Sequence, residues 1–302
     1  MVEEPKEPTA ESAVGAPPEE SPPQPVGGGA LRSVVGLFIV PLLVVVLCVA
    51  VFVGFGWIAY DQRTTTDYLN DLRSRWGPRR AQAAYELSKI LTADPRALDD
   101  DPEARAELRR LYAEVEDGEI RRYLALVLGH TRDPEAVPLL LETLSSPDSQ
   151  TRIYGLWALG SAGDRRALEP LIGQLEDSDA GIRKTAAFAL GELGDGGAIP
   201  PLTRRLGDST ADVRWNAALA LARLGSDAGR EVLQQMLDRR LTSQVAGIRP
   251  DQQVDAMVSA VAALAAVAGE SARPTLERLA EGDESLKVRQ AALDALEALG
   301  AS

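Results

Sequence analysis

The sequence predicts an all-α protein, in which a single transmembrane helix precedes an α-solenoid of antiparallel helix pairs. Residues 33–60 form an uncharged apolar stretch, and the chain beyond it repeats at a spacing of 31 residues. Aromatic residues make up only 5% of the 302 residues. A chain poor in aromatic residues and rich in alanine and leucine suits helices that pack closely in a stack.

Residues 1–30 are predicted to form a disordered tail. They are rich in proline, glutamate, serine and glycine, and they contain almost no large apolar side chain. Such a segment cannot bury enough apolar surface to offset the conformational entropy lost on ordering. No clean recognition motif is present in the tail, so it is interpreted as a solvated extension.

Residues 33–60 are predicted to form an uncleaved transmembrane anchor. Arg32 and Asp61 bracket this uncharged stretch. A hydrocarbon core of about 30 Å needs about 20 apolar helical residues. The apolar core of a signal peptide is shorter, about 7–15 residues, so a cleaved signal is disfavoured. Trp57 and Tyr60 lie at one end, where aromatic rings favour the membrane interface.

The charges beside the span predict its orientation. The tail contains two basic residues, Lys6 and Arg32, whereas residues 61–80 contain five arginines. Basic flanks tend to stay on the cytoplasmic side, so the solenoid is predicted to lie in the cytoplasm.

Residues 61–77 are interpreted as a juxtamembrane connector. Tyr68, Leu72 and Trp76 recur there at helical spacing, which predicts a helix that continues out of the membrane.

Residues 78–302 are predicted to be the repeat domain. An arginine recurs every 31 residues, at Arg121, Arg152, Arg183 and Arg214. A small residue follows eight positions later, at Gly129, Gly160, Gly191 and Ala222. Eleven positions after each arginine stand Arg132, Gly163, Gly194 and Gly225. Agreement at several positions of a fixed period is typical of stacked repeats.

Each unit is predicted to contain two helices. In residues 182–206, Ala186, Ala187 and Leu190 fall on one helix face, and Gly194 supplies a left-handed stop. Two prolines then begin a second helix. One unit cannot bury its own apolar stripe, whereas each leucine covered by a neighbour contributes about 1.5–3 kcal/mol. The units should therefore stack into a solenoid.

The array is predicted to extend in both directions, with roughly seven first helices. Similar helices begin near Arg80 and Val288, and a weaker one has Asp255 in the arginine position. Asp255 follows Arg214 by 41 residues instead of 31, which indicates an insertion at residues 239–250.

The pattern D-x5-[VI]-R-x2-A-A-x-A-L-G-x-L-G-D of the middle units resembles the HEAT repeat family, in the short form named after the phycobilisome lyases. The resemblance covers about residues 78–302. It implies an α-solenoid that binds proteins along one face. The enzymatic members of that family attach bilins to cysteines, but the fold alone does not carry this activity.

The resemblance also implies a ladder between neighbouring units, made by an aspartate before each first helix and the arginine within it. The spacing is kept in three units, by Asp177 and Arg183, Asp208 and Arg214, and Asp283 and Arg289. In two earlier units Val115 and Ser146 occupy the aspartate position, so the ladder is expected to be interrupted there.

The composition argues against catalysis and nucleic-acid binding. A formal net charge of −13 repels phosphate backbones. The single cysteine, Cys48, lies within the predicted span, and the single histidine, His130, ends a helix that it is expected to cap. The glycine-rich turns lack the Lys-Ser/Thr of a phosphate loop. No catalytic residue, metal ligand or cofactor is predicted, and the protein is expected not to be an enzyme.

A partner surface is predicted on the second helices, which usually line the concave face of such solenoids. Its candidate residues are Gln174, Arg204, Arg205, Gln235, Arg239 and Arg240. Four arginines in an acidic chain favour an acidic segment of a protein partner. The alternative is a solvated polar face. Trp157 and Trp215 lie on first helices, where core packing is the expected role.

Three functions remain open from the sequence. The first is a membrane-anchored scaffold or adaptor that binds a protein partner through its repeats. The second is a bilin-lyase-like enzyme or enzyme subunit. The third is a structural subunit whose membrane helix packs into a larger complex, for which Pro41, Gly54 and Gly56 could mark the packing face.

Overall fold

The computed structural model describes residues 40–59, 64–74, 77–245 and 247–300, and these residues form helices and connecting turns with no β-strand among them. The chain divides into two compact units, Met1–Gln62 and Arg63–Ser302. The predicted tail of residues 1–30 lies outside the described residues.

The described part of the first unit is one helix, Val40–Ala59, of 20 residues. Pro41 stands in its first turn, where the missing N–H costs no helical hydrogen bond. Large apolar side chains between Leu42 and Phe52 are exposed. The helix falls within the predicted span, but residues 33–39 and Tyr60 lie outside the described residues. The transmembrane assignment of this helix stays a prediction.

Another part of the chain meets the length and composition of a membrane span. Among the described residues, Pro250–Gly282 is long and apolar enough, whereas Pro41–Phe52 is apolar but shorter. Pro250–Gly282 is not one continuous α-helix, because Gly269 ends the first α-helix with a φ of 52°. Met257 and Leu264 are buried in this segment. These side chains pack in the core of the solenoid, although only 22% of the apolar window of the segment is buried.

The predicted continuous connector helix is not observed. A new helix, Thr65–Leu72, begins after Thr64, whose side chain accepts a hydrogen bond from the Asp67 amide in a capping box. This local cap sets the helix start whatever precedes it. Leu72 is buried against the repeats. Trp76 lies outside the described residues.

The second unit contains seven first helices, which define repeats 1 to 7 of the described chain. They are Gly77–Ala93, Gly118–His130, Ser149–Ala162, Ala180–Leu193, Ala211–Arg223, Pro250–Ala268 and Leu286–Gly300.

The second helices are mostly shorter and occur in repeats 1 to 6. They are Pro102–Glu114, Val137–Glu142, Leu168–Gln174, Ile199–Arg205, Arg230–Met236 and Arg273–Gly282. Prolines stand at the start of several, as Pro200 does in repeat 4. An aspartate opens the preceding turn in the regular repeats, where the Asp195 side chain accepts from the Gly197 amide.

Two clusters of buried side chains form the core, and they meet on the first helix of repeat 5. Ala217 and Leu221 of that helix belong to the cluster of repeats 1 to 4. Trp215 and Ala218 belong to the cluster that continues to repeat 7. One helix thus contributes opposite faces to two neighbours, as expected for a solenoid. The predicted α-solenoid of helix pairs is confirmed.

The recurring small residue lets consecutive first helices approach closely. A Cβ atom on Gly160 would lie 2.9 Å from the Cα of Ala189, and one on Gly191 would lie 2.9 Å from the Cα of Ala220. Any side chain larger than hydrogen would push the two helices apart. Because consecutive first helices approach so closely, their solvent-exposed faces are next to each other on the surface of the solenoid.

The residue eleven positions after the arginine has a positive φ in four successive repeats. Gly163, Gly194 and Gly225 have φ values of 66°, 75° and 73°, and Arg132 has a φ of 50°. The left-handed conformation ends the helix and costs little for glycine, but it strains arginine. The predicted helix stop is therefore confirmed, even where glycine is missing.

Candidate interaction surfaces on the two helix layers

The recurring arginine reaches back six residues to a main-chain carbonyl. In successive repeats the acceptors are the carbonyls of Val115, Ser146, Asp177 and Asp208. The distances from Arg183 Nη1 and Arg214 Nη1 to these oxygens are 2.9 and 2.8 Å. Because the acceptor is backbone, this contact does not require aspartate. Val115 and Ser146 therefore leave it intact.

The aspartate side chain is bound by the arginine of the preceding repeat. Arg183 donates to both carboxylate oxygens of Asp208, at 2.9 and 3.0 Å. Arg152 makes a longer pair with Asp177, at 3.7 Å. Hydrogen bonds from Arg183 hold the pKa of Asp208 below its ordinary value. The ladder therefore links consecutive repeats through side chains and closes each repeat through backbone.

The inserted segment supplies the ladder contact where repeat 6 lacks its arginine. Asp255 occupies the arginine position, but Arg239 donates to Asp283 at 3.0 and 2.6 Å. Burial alone would raise the pKa of Asp283, yet the hydrogen bonds from Arg239 hold it below the ordinary value. Arg239 also pairs with Glu284 at 3.0 Å. The predicted partner residue Arg239 is thus occupied within the chain.

Arg205 is likewise engaged in the fold. Its Nη1 donates to the Leu175 carbonyl at 3.2 Å, and its Nη2 pairs with Glu176 at 3.0 Å. It therefore joins repeats 3 and 4, in the way that Arg239 joins repeats 5 and 6.

The remaining predicted residues differ in exposure. Arg204, Gln235 and Arg240 are exposed, and neither arginine side chain has an ion pair among the described residues. Gln174 is half-buried, with its Oε1 shielded from solvent and without a hydrogen-bond partner in the described structure. Of the four predicted arginines, Arg205 and Arg239 are therefore paired within the solenoid, whereas Arg204 and Arg240 remain accessible to a partner.

A further surface, which the sequence did not predict, lies on the first helices and is called the aromatic face. It consists of Tyr85, Tyr123, Tyr154, Trp157 and Phe188. The ring centroids of Tyr85 and Tyr123 are 5.5 Å apart, those of Tyr123 and Tyr154 6.1 Å, and those of Tyr154 and Trp157 5.5 Å. Edge-to-face and tilted contacts of this kind stabilise the rings against each other. Each of these side chains is two or five positions after the arginine at the start of its first helix. They therefore share the outward-facing side of the first helices.

Cations cover several of these rings and are themselves paired with acids. Lys89 lies over Tyr85 at 5.3 Å, Arg122 over Tyr154 at 6.0 Å and Arg223 over Phe188 at 5.2 Å. The paired carboxylates belong to Glu86, Asp148 and Glu192. The face is therefore aromatic with a balanced charge.

A groove of about 520 Å³, the aromatic groove, opens on this layer. It is lined by Leu126, His130, Trp157, Ser161, Lys184, Thr185, Phe188 and Asn216. These residues come from the first helices of repeats 2 to 5. Trp157 is 39% exposed in it, so the predicted core role of this tryptophan is wrong. Trp215 is buried, as predicted.

The different exposure of Trp157 and Trp215 follows from their positions relative to the recurring arginine. Trp157 is five positions after its arginine and faces outward with Phe188. Trp215 is one position after its arginine and belongs to a buried cluster against which Val245 and Ile248 of the inserted segment pack. The exposed position could have been found from the spacing of Trp157 and Phe188, which are 31 residues apart.

His130 joins two repeats and lines the groove. Its Nε2 lies 3.0 Å from the Thr92 hydroxyl of repeat 1. Burial, reinforced by Arg132, lowers the pKa of His130. The described contacts include none from the ring to a helix-end carbonyl, so the expected capping role is replaced by an inter-repeat contact. No group of three or more potential metal ligands occurs among the described residues.

Comparisons with known proteins agree with the helical repeats. A family model for HEAT repeats matches residues 106–184 and 168–249. In the complex of CpcE and CpcF of phycocyanin lyase from Nostoc sp. PCC7120, a chain is 22% identical. The match covers 78% of this chain and 87% of that one, with a TM-score of 0.56. A designed armadillo repeat protein is 19% identical over 78% of this chain and 100% of its own, with a TM-score of 0.41. No curated protein sequence matches this chain.

Proposed function

We propose that this protein is a membrane-tethered interaction scaffold that binds a protein partner through the aromatic groove. The observation that carries the proposal is the groove itself, built by four consecutive first helices around a half-exposed Trp157. Exposed aromatic side chains in a shaped groove are typical anchors of protein interfaces. The HEAT-repeat match supports a binding role of the same class.

Capture from native membranes tests this function. Full-length protein carrying Trp157→Ala should lose a crosslinked partner that the wild-type protein captures. Leu293→Ala is the matched control, because Leu293 is also an exposed apolar side chain, 50% exposed, and lies outside the groove. Equal capture by both variants would show that the groove is not the binding site.

The anchor is proposed to be the helix Val40–Ala59, with the solenoid in the cytoplasm. Its exposed apolar side chains and 20-residue length support a membrane-spanning role. Cys48, the chain's single cysteine, provides a direct test. A membrane-impermeant maleimide should label it only after detergent is added, and labelling of intact vesicles would contradict the proposal. Ser178→Cys in a Cys48→Ala background should stay unlabelled from outside intact cells.

We propose that the chain is not an enzyme. Its histidine is engaged with Thr92, and its acidic ladder side chains are paired with arginines. The likeness to a phycocyanin lyase chain, at 22% identity, concerns the fold. The bilin-lyase alternative predicts a change in bilin absorbance on mixing with the purified protein, whereas we expect none.

The third alternative, a structural subunit of a membrane complex, makes a different prediction. It requires the helix Val40–Ala59 to be the contact, so removing the solenoid would leave the complex intact on a native gel. The scaffold proposal expects the partner to be lost with the solenoid.

A further inference from the structure

Three exposed arginines without a partner among the described residues lie on the second-helix side of repeats 4 to 6, and we call them the basic strip: Arg204, Arg240 and Arg278. All three are exposed, and none has a side-chain hydrogen bond or ion pair among the described residues. They differ from Arg205 and Arg239, whose guanidinium groups are bound to carboxylates of the solenoid. Their donors are free to bind another molecule.

Two members of the strip, Arg204 and Arg278, occupy equivalent positions of the repeat. Arg204 follows the buried Leu202 by two residues, and Arg278 follows the buried Leu276 by two residues. The equivalent position in repeat 5 is Gln235. Repeats 4 and 6 thus each present one arginine from the same place on the helix.

The inserted segment supplies the third member, Arg240, from the short helix Arg239–Thr242 that lies between repeats 5 and 6 in the chain. Arg240 and Arg278 line a common cavity of about 590 Å³, together with Gln234. Each acid of this cavity has at least one hydrogen bond or ion pair within the chain. Asp238 accepts from the Arg240 amide, and Arg239 binds Asp283 and Glu284. Of the three arginines that line this cavity, Arg239 is paired with carboxylates, whereas Arg240 and Arg278 have no ion pair among the described residues.

We propose that the basic strip binds an extended acidic segment of a partner protein. Guanidinium groups pair with carboxylates through two parallel hydrogen bonds, and an acidic ligand complements the unpaired cations. Neighbouring helices in a stack lie about 8–10 Å apart, so two repeats span roughly 20 Å. An extended chain covers that distance in about six residues. The partner segment therefore carries carboxylates along at least six residues.

This inference goes beyond the proposed function, because it concerns the other helix layer. Failure at the basic strip would leave binding at the aromatic groove unaffected. The reverse also holds, since the two surfaces share no described residue.

Fluorescence anisotropy with the full-length protein in detergent tests the proposal. The probe is a labelled ten-residue peptide of alternating glutamate and serine, and a four-residue version tests the length requirement. Arg240→Glu/Arg278→Glu should weaken binding of the long peptide by about tenfold or more. The short peptide should bind more weakly to the wild-type protein. Arg240→Gln/Arg278→Gln provides a variant without added repulsion and should also weaken binding.

Arg96→Glu/Arg105→Glu is the matched control. It changes the net charge equally, and neither side chain has an ion pair among the described residues. Retention of binding by this control and its loss at the strip would support the site. An equal loss of peptide binding in both double variants would show that only net charge matters, and it would overturn the proposal.

Vesicles containing phosphatidylserine distinguish a lipid surface from a protein segment. If the strip variants lower vesicle binding but leave peptide binding unchanged, the strip is a lipid contact and the proposal is wrong. Unchanged peptide binding in the strip variants would overturn it in any case.

Discussion

Arg239 donates two hydrogen bonds to Asp283, 44 residues later in the chain, at 3.0 and 2.6 Å. The donor comes from the inserted segment and the acceptor from the end of repeat 6. The pair restores the contact that Asp255 cannot make from the arginine position. The inserted segment thus also supplies the arginine that binds the Asp283 carboxylate at the end of repeat 6.

Replacing Arg239 should therefore destabilise the C-terminal repeats. The Asp283 carboxylate is only 4% exposed, and Arg239→Ala would leave it buried without its cation. Because Arg239 itself is partly exposed, we expect a loss of about 1–3 kcal/mol in urea denaturation followed by circular dichroism. Arg240→Ala is the adjacent control and should change stability by less than about 0.5 kcal/mol. Equal losses would contradict the assignment.

Arg132→Gly should stabilise the protein. Arg132 has a φ of 50° at the position where Gly163, Gly194 and Gly225 stand in the next repeats. Glycine removes the left-handed strain, which is worth about 1 kcal/mol. Gly194→Ala is the reciprocal change and should destabilise by a similar amount. The midpoints of urea denaturation of both variants provide the measurement. A lower midpoint for Arg132→Gly would show that the left-handed conformation of Arg132 does not destabilise the protein.

Gly160→Ala should destabilise the stack, because the new methyl group would meet the Ala189 backbone. Overpacking of this kind typically costs about 1–3 kcal/mol. Gly173→Ala offers the opposite control, since its Cβ would have nothing within 4 Å. It should be neutral or gain up to about 1 kcal/mol from helix propensity. In thermal denaturation, the melting temperature should fall for Gly160→Ala and stay equal or rise for Gly173→Ala.

The burial of His130 should make stability depend on pH. The folded pKa of His130 lies below the ordinary value of 6.5. A protonated imidazole is therefore favoured more in the unfolded chain than in the folded one. Stability from this group is complete above about pH 6.5 and declines as the pH falls through the lowered folded pKa.

Urea denaturation between pH 7.5 and 5 would measure the effect, with His130→Gln as the comparison. The variant should lose the decline in this window but keep the loss at lower pH, where Asp208 is protonated. The pKa of Asp208 is lowered from 3.8, so its contribution fails only in stronger acid. A wild-type profile parallel to the variant down to pH 5 would disprove the role of His130.

The repeat domain was largely predictable, because its determinants are local and periodic. The 31-residue register indicated the helix pairs, and the glycine at its eleventh position indicated the helix stop. The connector was misjudged, since apolar spacing at Tyr68 and Leu72 suggested a continuing helix. The capping box at Thr64 starts a new one.

The candidate sites were less predictable, since exposure and pairing depend on neighbouring repeats. The four predicted arginines are alike in sequence, yet Arg205 and Arg239 have carboxylate partners, whereas Arg204 and Arg240 have none in the described part of the chain. The partners of Arg239 lie more than forty residues away. No local pattern distinguishes a guanidinium that has such a partner from one that lacks it.

The sequence by itself determined the class of this protein, since fixed spacing, helix stops and apolar stripes act within one or two turns. It also determined that the units must stack, because a single helix pair cannot cover its own leucines. Only the tertiary structure decided which side chains remain available. Stacking buried Trp215, left Trp157 in a groove and bound Arg239 to Asp283. These outcomes follow from contacts between repeats, where distant residues meet and compete for the same surface.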